Sequence, residues 1–109
     1  MTPPPLACNP FALDPAARTR HAEVTGWLLS AATGRDELVN GYALRLPAAD
    51  EALRRAAEFI ARERRCCPFI TFTLTVSDDA ARLSLTGAGG VKQFIEAEIL
   101  AQEGGVSDG

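Results

Sequence analysis

Around Cys66-Cys67-Pro68 the chain changes its hydrophobic period. Before it, "DEALRRAAEFIARERR" carries apolar residues at helical spacing, with acids in the first turn and arginines in the last, as the helix dipole favours. After it, Phe69, Thr71, Thr73 and Thr75 alternate strictly with Ile70, Phe72, Leu74 and Val76, the mark of a half-buried strand. A residue that precedes proline is pushed out of the helical region, so Cys66 is expected to end the helix and Cys67 to be extended. A helix that feeds a strand directly restricts the fold to a mixture of both. It also places two neighbouring cysteines at the joint.

The flanking segments extend the pattern. Asp14 followed by Pro15 reads as an N-cap and a first helical residue, and Val24, Trp27, Leu28 and Ala31 keep helical spacing. Gly26 weakens that helix, which is expected to end between Thr25 and Ala31. "GRDELVNGYALRLP" reads as a hairpin with a two-residue type I′ turn at Asn40-Gly41, its incoming strand starting near Leu29 or near Arg35. Leu53, Ala56, Ala57 and Ile60, with Phe59 at the margin, form the expected buried stripe of the helix from Asp50. Asp78-Asp79 turns the chain into a strand with Leu83 and Leu85. "VKQFIEAEIL" is a last helix, with Val91, Phe94, Ile95 and Ile99 or Leu100 inward.

The order helix, hairpin, helix, hairpin, helix predicts an α+β fold, an antiparallel sheet of about four strands covered by three helices mainly on one face. The expected organisation is an extended Pro-rich segment at 1–13, one domain at 14–102 and a disordered tail at 103–109. A chain of 109 residues supports one hydrophobic core. Its net charge of -3 leaves no broad basic face, so nucleic acid is not an expected partner. No apolar run approaches a membrane span, and the first residues lack the pattern of a signal peptide. The expected location is the cytoplasm, where thiols stay reduced, and three cysteines do not make a simple disulfide framework.

Chemistry concentrates on few residues. Adjacent cysteines make poor disulfides, because consecutive Cα atoms lie about 3.8 Å apart while bridged ones usually span about 4.4 Å or more. Cys66 and Cys67 therefore suit a soft ion or a reactive reagent, or they are core filler, since cysteine is among the most buried residue types. The helix C-terminus disfavours a thiolate there, and Arg64 and Arg65 offset that. Two thiols seldom close a metal site. Cys8 supplies a third, which suffices for Hg(II) or As(III). Zinc would need four ligands, hence His21 as well. His21, the single histidine, is expected to face solvent or to be capped. Glu63, four residues before Cys67, is a base or an acceptor behind the thiols, or pairs with an arginine on a solvated face.

The pieces "AC" with "RTRH" a dozen residues on, "NGYALRLP", "FIARERRCCPFITFTL" and "LSLTGAGGVKQFI" span residues 7 to about 96. In these the chain resembles a widespread family of small, largely uncharacterised bacterial proteins with an E-R-x-C-C-P-F motif. It departs from that pattern at Asn40, where an acid is expected, and at Ala88 and Gly89, where a proline and an acid are expected. The resemblance implies that Cys8, His21, Glu63, Cys66 and Cys67 recur as a set, with a loose association with heavy-metal resistance.

These observations lead to one expectation with two rivals. The first is a protein that binds a thiophilic metal or metalloid (Hg, As or Zn) through Cys8, Cys66 and Cys67, with His21 as a further ligand and Glu63 and Arg65 behind them. No organic cofactor is expected. The second is a thiol enzyme, one cysteine the nucleophile, its neighbour resolving, and His21 or Glu63 the base. The third is a module that forms a homodimer or binds a partner, its cysteines merely packed.

Overall fold

The computed structural model describes Asn9 and residues 11–101. Cys8, Leu6 and the tail at 103–109 lie outside the described residues. Helix α1 spans Pro15–Ala31, strands β1 and β2 are Gly34–Leu38 and Gly41–Leu46, and helix α2 is Asp50–Cys66. Strands β3 and β4 follow at Thr71–Val76 and Ala81–Thr86. Helix α3, Val91–Phe94, then runs into a π-helical segment, Ile95–Leu100. The expected α-ββ-α-ββ-α order and the α+β class are thus realised.

All four strands join one antiparallel sheet in the order β1-β2-β4-β3. The two hairpins meet along β2 and β4, where Leu44 faces Leu83 and Tyr42 faces Leu85. These side chains are buried beneath the helices. The opposite face carries Arg45, Arg82 and Asp36, with Asp36 within 3.3 Å of Arg45 and 3.8 Å of Arg82. Thr71, Thr73 and Thr75 are exposed as expected, while Ile70 is buried and Phe72 and Leu74 are half-buried. Val76, at the end of an edge strand, is exposed.

Several local expectations are corrected. The first hairpin turns at Val39-Asn40, one residue early, and among the described residues no non-glycine residue has positive φ, which excludes a type I′ turn. Gly41 instead pairs within the sheet, where a Cβ would lie 1.9 Å from the Leu85 carbonyl oxygen. The buried stripe of α2 is rotated: it runs through Ala52, Ala56, Phe59, Glu63 and Cys66, while Leu53 and Ile60 flank it half-buried and Ala57 is exposed. The helix packs against both α1 and β3, so its inward face is chosen by both neighbours. At the end of the chain, the wider π turn buries both Ile99 and Leu100.

Helix α1 starts as expected. Its N-cap, Asp14, accepts a hydrogen bond from the Ala17 N–H at 2.8 Å. It is joined to α2 at the surface by Glu58, which accepts from Arg20 Nε at 2.7 Å and Nη2 at 2.9 Å and from Arg62 at 2.5 Å. Arg55 also lies over the Trp27 ring at 4.9 Å. The Arg20 and Arg62 guanidinium groups hold the Glu58 carboxyl down from 4.5 to about 2. A folded pKa below the unfolded one adds stability above pH about 4.5, lost as pH falls through about 2. Glu58→Gln should therefore cost up to about 1 kcal/mol at neutral pH, as partly exposed ion pairs do, and flatten urea-midpoint stability across that acid window.

Candidate functional site

The C-terminal end of α2 gathers most of the residues singled out in the sequence. Cys66 is the last helical residue and Cys67 caps it with φ -126° and ψ 73°, outside the helical region as Pro68 requires. The Cys67 N–H still donates to the Glu63 carbonyl at 2.7 Å. The Cys66 carbonyl, which has no partner within the helix, accepts from the Asn9 N–H at 2.9 Å. Arg65 donates to the Ala12 carbonyl at 3.2 Å and Arg18 to the Leu13 carbonyl, also at 3.2 Å. The stretch from Asn9 to Leu13 is thereby fastened over the helix end.

Leu13 anchors that stretch by burial, worth about 1.5–3 kcal/mol. Phe11, two residues before it, is by contrast 85% exposed. Its N–H donates to Asn9 Oδ1 at 3.0 Å, a local turn that directs the ring away from the core.

His21 is not at the surface as expected, and of the alternatives for Glu63 the solvated face is excluded while the place behind the thiols is kept. Glu63 is 6% exposed and sits on the inward stripe of α2. His21 Nε2–H donates to Glu63 Oε1 at 2.5 Å, joining α1 to α2 inside the protein. The His21 ring also stacks on Phe59, with centroids 5.4 Å apart and planes 18° from parallel. Thr25 donates to the His21 carbonyl at 2.8 Å. The His21 Nδ1 atom is buried and has no hydrogen-bond partner among the described residues. The physical reason for burial is the spacing of α2, whose positions 52, 56, 59, 63 and 66 fall on one line. A carboxylate on that line needs a cation or donors.

The other oxygen of Glu63, Oε2, lies 3.3 Å from the Cys67 sulfur. Cys67 is fully buried and disulfide-bonded, whereas Cys66 is a free thiol. The neighbours are not bridged to one another, as their short Cα separation requires. The expectation that the thiols stay reduced is corrected at Cys67. Burial pushes the Cys66 thiol above its ordinary pKa, Glu63 adds to the shift, and Arg65 opposes it.

A cavity of about 290 Å³ opens beside these groups. Cys66, Glu63, His21 and Phe59 form one wall, Ala22 and Arg18 of α1 another, and Leu13 and Ile99 close the ends. Cys66, Cys67, Glu63 and His21 are thus brought to one place, with Arg65 beside them. Cys8 lies outside the described residues. Among the described residues no three His, Cys, Asp or Glu side chains group as an ion site; the expected zinc set includes Cys8, which lies outside them. His21 Nε2 is instead committed to Glu63. Phe59, Arg18 and Asn9 were not anticipated. Only the line of inward α2 positions, which includes Glu63, could have indicated the first.

No helix among the described residues is long and apolar enough to cross a membrane. Comparison with protein-family models, curated proteins and solved structures returned no match.

Two outcomes test this geometry. Glu63→Ala leaves the buried Nε2–H of His21 without its acceptor, so it should lower stability by about 1–3 kcal/mol in denaturant unfolding, beyond Glu58→Gln. Iodoacetamide should modify Cys66 more slowly in the folded protein than in urea, with a rate still climbing above the ordinary thiol range near pH 8.5. Rapid modification at neutral pH would mean that the thiol is neither buried nor raised.

Proposed function

We propose that this protein captures a thiophilic metal or metalloid through its neighbouring cysteines once Cys67 is reduced. One observation carries the reading. Two sulfurs adjacent in sequence are not bridged to each other, and Cys66 lines a cavity whose wall includes the carboxylate next to Cys67. Soft ions select sulfur over other ligands. Ligation also requires the thiols to lose their protons, so capture is coupled to proton release. The Glu63 carboxylate, 3.3 Å from the Cys67 sulfur, is placed to receive such a proton. As a negative group it offsets the charge of an arriving cation. Cys8 is the proposed third thiolate where the ion takes three.

A thiol–disulfide exchange reading is favoured by the disulfide at Cys67. It is weakened by the electrostatics of Cys66, the free thiol. Exchange proceeds through a thiolate, and burial, Glu63 and the helix C-terminus all disfavour that form here.

The test is native mass spectrometry after phosphine reduction and removal of the phosphine, with Hg(II), As(III) and Zn(II) added separately and residual thiols counted. One ion per chain, with two or three thiols consumed, is the expected result for Hg(II) or As(III). Cys66→Ser should abolish it. Cys8→Ser should weaken As(III) capture far more than it lowers the melting temperature of the metal-free protein. Undiminished capture by a Cys66→Ser/Cys67→Ser double variant would remove the proposal. Rapid turnover of a small disulfide, with no ion bound, would put the exchange reading in its place.

A further inference from the structure

The cavity beside Cys66 is larger than an ion needs. Its volume is about 290 Å³, whereas a water-sized occupant takes up roughly 30 Å³. Small-molecule sites begin at about 300 Å³. The walls that Leu13, Ala22, Phe59 and Ile99 contribute are apolar, and a hydrated ion gains nothing from them. An organic group does. Cys66 and Cys67 stand side by side at this place. A trivalent soft centre with two thiolates has one position left for a substituent.

We propose that the cavity seats the organic substituent of a monosubstituted trivalent arsenical, with Cys66 and Cys67 as the two remaining ligands of the arsenic. This rests on the thiophilic reading above and narrows its cargo. The chemistry balances without an external redox partner once the thiols are free. R–As(OH)₂ and two thiols give R–As bonded to two sulfurs and two waters. Two As–O bonds break, two As–S bonds form, and each thiol proton leaves with a hydroxide. Arsenic stays trivalent. Freeing Cys67 requires a reductant: a phosphine and one water convert the disulfide to two thiols and the phosphine to its oxide. The Phe59 and Ile99 side chains then contact the substituent, and Ala22 leaves room for it at the α1 wall.

Phosphine-reduced protein, freed of phosphine, would be titrated with phenylarsonous acid, methylarsonous acid and arsenite. The same titrations on the chain in urea give the preference of the two cysteines without a cavity. The folded protein should favour phenyl over methyl by at least about tenfold more than the unfolded chain does, the return from burying part of one ring. Ala22→Phe, which fills the α1 wall from an exposed position, should remove most of that preference and leave arsenite binding within a factor of about three. Ala22→Leu should give a smaller change in the same direction, and it serves as the variant if the phenylalanine perturbs folding. Equal phenyl-to-methyl ratios in the folded and unfolded chain would overturn the proposal, as would indifference to both substitutions. Arsenite and Hg(II) binding without a phenyl preference would sink this inference alone. Failure of all the soft reagents would sink the thiophilic reading with it.

Discussion

The buried carboxylate of Glu63 is the constraint around which the rest is arranged. It lies on the inward line of α2 between Phe59 and Cys66, where an apolar residue would cost nothing. A carboxylate there must be met by a cation or by donors, or it would neutralise. His21 meets it from α1, and that contact fixes which face of α1 turns inward: Val24, Thr25 and Leu28 are buried on the same side. The surface cluster at Glu58 joins the same two helices, but in water such pairs contribute little. The buried pair is different in kind. Its net contribution to stability is modest, because desolvation offsets attraction, but losing either partner is costly. It specifies the helix pairing more than it strengthens it.

From that constraint follows the character of the two cysteines. Glu63 stands one turn before Cys67 and contacts its sulfur, and the helix ends there because Pro68 does not permit otherwise. The carbonyl freed by that ending takes its hydrogen bond from Asn9, which draws the start of the described chain over the site and roofs it with Leu13. Burial, a neighbouring carboxylate and the negative end of a helix all hold Cys66 in its protonated form, against Arg65 alone. Such a thiol is a weak nucleophile. It gives up its proton readily only to a partner that forms a strong bond to sulfur.

The two changes of period made the fold legible. The alternation of Phe69–Val76 and the stripe of α2 placed β3 and the second helix to within a residue or two, and Asp14-Pro15 marked the start of α1. What the sequence did not disclose was orientation. Leu53 and Ile60 are more apolar than Ala52 and Ala56, yet the small residues are the buried ones, because α2 packs against both α1 and β3. For the same reason the inward position of Glu63 was hidden, since a charged residue counts against burial in any pattern of apolar spacing. His21 followed suit: its partner lies 42 residues away along the chain, and only the packed helices bring them together. The turn at Val39-Asn40 was misplaced because Asn-Gly is a strong local signal. Gly41 answers instead to the close approach of the Leu85 backbone.

Charge balance bears on which ion such a site would hold. Three thiolates on Zn(II) carry a net negative charge, and they would add it next to the Glu63 carboxylate in a place from which water is largely excluded. Two thiolates on Hg(II) are neutral, and so are two thiolates on an arsenic that keeps one carbon substituent. Moving an uncompensated charge out of water is far more costly than moving a neutral adduct of similar size. On the proposed capture of a soft ion, the burial of Cys67 and Cys66 therefore disfavours zinc and favours a neutral, sulfur-bonded product. The same reasoning gives His21 a part without making it a ligand. By donating to Glu63 it satisfies one carboxylate oxygen inside the protein, independently of the sulfurs.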